Sequence, residues 1–304
     1  MILHVQSLRG LAAVGVAIHH STVTSSFLNF NFLVNLHFFV DFFFILSGYI
    51  LAFNYEKLVK NSTNFIFLIK KRIIRLYPLH LIILIIFLFI ELTKYNFFSG
   101  LDITKYNFKD LAQNIFLVHG FSGESFNLPS WSISVELWVN FLYLILLFFT
   151  KNYKLFIFIF LFLALFYLGF YSYNFKFIEL LLIENYLNLF RGISGFFLGV
   201  FLYNYFSYFK KINFNFFILN IVLLLVFIFI SSNYLIYNFL FFIYLNSALR
   251  IKKDSKIMKI LENKFFMYLG KISFSIYLWH FLIIHLLDQL IFSFLKIERY
   301  FLNT

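Results

Sequence analysis

The sequence predicts an all-α, polytopic transmembrane bundle of about nine to ten spans, and three observations predict it. The 304 residues are 62% hydrophobic and 24% aromatic but only 12% charged, with a mean hydropathy of +0.88, which is more apolar surface than a water-soluble domain of this size buries. Several apolar stretches reach the roughly 20 residues that a helix needs to cross about 30 Å of hydrocarbon. Runs such as Leu79 to Ile90 and Leu155 to Phe166 are continuously apolar, where the strand of a membrane barrel would alternate. Lipid offers the backbone no hydrogen bonds, so only helices and closed barrels span it, and the continuous runs select helices.

Taken in order, the expected spans are 8 to 26, 36 to 54, 74 to 92, 131 to 149, 153 to 171, 187 to 206, 214 to 231, 234 to 250 and 272 to 295. They leave no room for a separate soluble domain, so residues 1 to 304 are expected to form a single membrane-embedded domain. With the N-terminus placed in the cytoplasm, eighteen of the 25 Lys and Arg fall on the inner side, as the positive-inside rule requires. The same rule explains the net charge of +12 without nucleic acid as a partner. Asp102, Asp110, Glu124, Glu179 and Glu184 fall outside. Nine spans put Lys296 and Arg299 on the disfavoured side, which calls for a tenth span or a shifted last one. The long outer connection from 93 to 130 contains an apolar piece, Leu111 to His119, suited to lying at the interface or dipping into it.

With no Cys in the chain, disulfides, thiolate metal sites and cysteine nucleophiles are excluded, and no metal is expected. Chemistry falls instead to a few polar residues inside apolar segments. Arg9 and His20 are eleven residues apart, about 1100° of helix, so they share a face with about 16 Å between them. Snorkelling accounts for an Arg at a helix mouth, but a His deep in a span marks a site. His37 and Asp41 stand at i and i+4 on one face, either as a local pair or as an imidazole with its orienting carboxylate. Arg72 and Arg75 open a helix on the cytoplasmic side; they serve as a positive-inside anchor or as a bidentate clamp for phosphates. Glu136 lies about a turn into its span, where a carboxylate is costly. His280 again lies within a span, in a setting where packing through Tyr277 and Trp279 is at least as good an account as chemistry.

Five motifs therefore run in order along the chain: Leu8-Arg9-Gly10 with His20; Val40-Asp41 followed by Ile45 to Tyr49; Lys71-Arg72 with Arg75 and Pro78; Trp131 to Glu136; and Tyr277 to His280. Together they resemble the acyltransferase-3 family of integral membrane enzymes over nearly the whole chain. Two positions depart from the family pattern: Lys71 stands where Arg is frequent, and Leu137 where a second acidic residue is common. The resemblance implies transfer of an acyl group, most often acetyl, from acyl-CoA to a hydroxyl of a surface carbohydrate such as an O-antigen, another exopolysaccharide or a lipid-linked glycan, in the inner membrane. It implies His20 as the essential histidine and Arg9, Arg72 and Arg75 as the basic residues, which would bind acetyl-CoA.

The mechanism expected has neutral His20 deprotonating the acceptor hydroxyl or becoming transiently acylated, with Asp41 or Glu136 orienting it. A transporter or flippase of a polar lipid-linked substrate, with His, Asp and Glu as a proton relay, is the rival reading.

Overall fold

In the computed structural model, the structure describes residues 3–23, 31–59, 61–97, 108–172, 186–211, 217–230, 233–252 and 254–295, and among them there is no strand. The helices are α1 (Leu3–Val23), α2 (Asn31–Asn35), α3 (Phe39–Tyr55), α4 (Ser62–Phe97), α5 (Phe108–Ile115), α6 (His119–Ser122) and α7 (Trp131–Phe149), followed by α8 (Tyr153–Ser172), α9 (Leu187–Lys211), α10 (Phe217–Ile230), α11 (Tyr234–Ala248), α12 (Lys256–Leu261) and α13 (Lys264–Leu295). Each of the nine expected spans overlaps one of these helices.

The protein is a multi-pass membrane protein. Five stretches are long and apolar enough to cross a bilayer: Phe32–Tyr55, Ser62–Ile90, Leu128–Phe149, Tyr153–Ser172 and Lys264–Leu287; α10 and α11 are shorter apolar helices. The other two spans, on α1 and α9, are long enough but carry more polar side chains, among them Arg9, His19 and His20 on the first and Arg191 on the second. Beyond these, no further membrane-length helix occurs among the described residues. Lys296 and Arg299, and the outer charges Asp102, Lys105, Lys176, Glu179 and Glu184, lie outside them.

The chain forms two compact units: Met1–Val40 with Asn215–Ser232 and Ser247–Thr304, and Asp41–Phe214 with Asn233–Asn246. In the first unit α1 packs along α13. Gly10 makes this approach possible, because a Cβ there would stand 2.7 Å from the Gly270 backbone nitrogen, and one on Gly270 would strike the Gln6 carbonyl. Small residues at such crossings let helix backbones touch, which is how apolar helices gain packing energy in lipid. Ala12, Ala13 and Val16 fill the remainder of the buried face of α1. The ends are tied by polar bonds: the Ser7 hydroxyl donates to the Leu261 carbonyl, and the Asn35 amide to that of Ile228 at 2.8 Å.

In the second unit the closest crossing joins α3 to α9. A Cβ on Gly48 would strike the Phe196 carbonyl, and one on Gly199 that of Ile45, while Gly195 lies against Asp41 and Phe44. The segment between α5 and α7 is pinned from both sides. Leu117 adopts a positive φ of 53°, and its carbonyl accepts from Ser134 at 2.6 Å and Trp138 at 2.7 Å. The buried Asn114 side chain donates to the Glu124 carbonyl at 2.7 Å, and the Asn114 backbone carbonyl bonds His80 at 2.9 Å. The apolar piece singled out in the sequence is thus two short helices, one of which rests on α7 through Gly120 and Ser134.

Gly199→Ala is expected to destabilise the protein by about 1–3 kcal/mol through overpacking, read as a fall in the thermal midpoint in detergent. Gly169→Ala, where a Cβ meets only the Leu235 methyl at 3.3 Å, is expected to leave that midpoint unchanged.

Candidate active site

In the first unit α1 runs unbroken from Arg9 to His20, so the shared face expected from their spacing is present. His20 is half-buried. Its Nδ1 lies 3.0 Å from the Val16 carbonyl and 3.1 Å from Nε2 of His280, whose own Nδ1 is 3.2 Å from the Ile276 carbonyl. The two rings are 4.9 Å apart between centroids. His19 stands edge-on to His20 at 4.9 Å and is followed by His37 at 5.3 Å, which makes a row of four imidazoles drawn from α1, α13 and the turn before α3. Phe281 closes the other side of His20, edge-on at 5.7 Å. Among the described residues, no group of His, Asp and Glu has an arrangement that holds a metal ion.

In the second unit Asp41 is fully buried and gripped by Arg191, with Nε donating to Oδ1 at 3.2 Å and Nη2 to Oδ2 at 2.9 Å. The guanidinium also faces the rings of Trp131 at 4.9 Å and Tyr234 at 5.0 Å. The i, i+4 pairing of His37 with Asp41 presumes one continuous helix. A turn of 3₁₀ helix over Leu36–Phe38 intervenes, and the carboxylate spends both oxygens on Arg191. Asp41 thus belongs to the second unit and His20 to the first.

Glu136 accepts from the Ser47 hydroxyl at 2.7 Å and lies within electrostatic reach of Arg72. Arg72 and Arg75 differ in a way that their spacing does not reveal. Arg75 is exposed, whereas Arg72 is only 3% exposed, has its guanidinium over Tyr55 at 5.1 Å, and keeps an Nε–H with no acceptor among the described residues. A buried donor left without an acceptor is costly, and a phosphate oxygen is the kind of group that satisfies it.

Three groups were not singled out in the sequence. For Arg191 the available signal is an Arg heading an apolar helix with Gly192, Gly195 and Gly199 after it. Glu56 takes the hydroxyls of Tyr143 at 3.1 Å and Tyr153 at 2.8 Å, tying the end of α3 to α7 and α8. His119, buried beside a stacked His80 ring at 5.7 Å, bonds the Ser130 hydroxyl at 3.0 Å. Burial, with His80 adding to it, holds His119 down at about 4.

Removing Arg191 alone leaves a buried carboxylate uncompensated, so Arg191→Met is expected to cost about 3–5 kcal/mol, and adding Asp41→Asn to recover much of it, as measured by thermal unfolding in detergent. The His119 imidazole binds a proton less readily folded than unfolded. Its contribution to stability is therefore complete above the unfolded value of about 6.5 and declines as pH falls towards 4, by up to about 1.4 kcal/mol per pH unit. His119→Gln should remove that part of the acid sensitivity in unfolding scans between those limits.

A family model described as an acyltransferase domain matches residues 3–302. No curated protein and no solved structure matches the chain.

Proposed function

Because the chain belongs to the acyltransferase-3 family and is therefore a membrane acyltransferase, we propose that it moves an acetyl group from acetyl-CoA to a hydroxyl of a surface carbohydrate or lipid-linked glycan. Arg72 is the observation that carries the donor assignment. It is a buried guanidinium with an unsatisfied Nε–H, and Arg75 is exposed next to it, as a site for the phosphates of a nucleotide-bearing thioester requires. Glu136 lies close enough to hold the charge of Arg72 in place, and Arg9 is the other basic residue that the family resemblance assigns to the donor. The N-terminus is then on the cytoplasmic side of the inner membrane, the side on which acetyl-CoA is made. The glycan acceptor is drawn from the resemblance to envelope-modifying relatives.

His20 is the group for the chemistry. As base, the neutral imidazole takes the hydroxyl proton while the oxygen attacks the thioester carbonyl. The tetrahedral adduct then expels the CoA thiolate, which receives that proton from the imidazolium, so no net proton is consumed. In the other route the imidazole itself is acylated and passes the acetyl group to the hydroxyl.

Membranes containing the wild type are expected to transfer label from acetyl-CoA to envelope glycans, and membranes containing His20→Ala to transfer none; full transfer by His20→Ala contradicts the assignment. Arg72→Ala is expected to raise the KM for acetyl-CoA by about 10-fold or more, the equivalent of one charge-assisted hydrogen bond. Arg75→Ala, at an exposed position, should raise it less.

A further inference from the structure

The hydrogen bonds around His20 admit a single neutral arrangement. The Val16 carbonyl only accepts, so His20 Nδ1, 3.0 Å away, must carry its proton. The Ile276 carbonyl makes the same demand of His280 Nδ1 at 3.2 Å. A neutral imidazole has one N–H, so His280 Nε2 is then a bare acceptor. It faces His20 Nδ1 at 3.1 Å, and both contacts are satisfied when the one His20 Nδ1–H is shared between the Val16 carbonyl and His280 Nε2. The reverse arrangement, with His280 Nε2 donating to His20 Nδ1, would aim two carbonyl oxygens at two bare nitrogen lone pairs.

We propose that His280 is the positioning residue for His20: by sharing the His20 Nδ1–H with the Val16 carbonyl it orients the ring and completes the pair of acceptors that holds the lone pair on His20 Nε2, the atom that meets substrate. This rests on the reading of His20 as the base or nucleophile. A carboxylate fills this role in many acyl-transfer sites, where it orients the imidazole and stabilises the imidazolium. Here both oxygens of the nearest candidate in sequence, Asp41, are engaged by Arg191, and a second imidazole takes the position. His280 is buried and its ring is braced by Tyr277 at 5.9 Å, so the acceptor is held at a set place along α13. When His20 gains the hydroxyl proton at Nε2, its Nδ1–H bond to His280 strengthens. When it returns that proton to the CoA thiolate the bond relaxes, and His280 neither gains nor loses a proton.

Two variants of equal polarity separate this role from packing. Asn at 280 places its amide oxygen where His Nδ1 stands and does not reach His20, whereas Gln places an acceptor where Nε2 stands. His280→Asn is expected to lower kcat for labelled acetyl transfer in native membranes by about 100-fold with the KM for acetyl-CoA unchanged. His280→Gln should stay within about threefold of wild type. In protein carrying ¹⁵N-labelled histidine, the wild type should show a non-protonated Nε2 resonance that disappears in His20→Ala and moves towards the tautomer-averaged position in His280→Asn. Wild-type kcat in His280→Asn, or equal losses in both variants, would overturn the proposal. Transfer retained in His20→Ala would instead remove the reading on which it rests.

Discussion

Arg191 and Asp41 meet through two N–H···O bonds at a depth where neither reaches solvent, and much of the second unit is arranged around that meeting. A charge buried in an apolar bundle is tolerated only with a partner at hydrogen-bond distance, and the partner here comes from a helix 150 residues further along the chain. The two helices come close enough because Gly48, Gly195 and Gly199 bring no Cβ of their own to the crossing. Trp131 and Tyr234 then close over the guanidinium, which fixes the first turn of α7 and the start of α11. With α7 placed, Glu136 stands over Ser47 and near Arg72, so the structural ion pair and the proposed donor clamp are connected through one helix.

The constraint in the first unit is of the same kind. Imidazoles inside a span have no water with which to bond, and those of His20 and His280 answer each other and their own helix carbonyls. The polarity that makes α1 less apolar than the other long helices is the polarity that the proposed site uses.

What local periodicity governs was legible in the sequence. The helical class, a helix at each of the nine expected positions and the common face of Arg9 and His20 depend on 3.6-residue spacing and on apolar run length, and α1 is continuous as that spacing requires. What depends on pairing across the chain was not legible. His280 was visible as a polar residue in a span, but its partner is 260 positions away. Asp41 had a plausible neighbour at i−4, yet one turn of 3₁₀ helix interrupts the register, and Arg191 takes the carboxylate instead. Arg72 and Arg75 look equivalent in a motif, and only packing separates a buried guanidinium from an exposed one. Membership of the family decides between a transporter and an acyltransferase, since buried His, Asp and Glu alone suit both.

The central claim, that a thioester on the Arg72 side is consumed as a glycan is acylated, is tested most directly in sealed vesicles of both orientations containing the protein and its host's lipid-linked glycans. Acetyl-CoA supplied to inside-out vesicles should be cleaved to the free thiol in step with the appearance of O-acetyl groups on the glycan, and right-side-out vesicles supplied externally should leave it intact. Movement of glycan across the bilayer with no loss of thioester in either orientation would contradict the account.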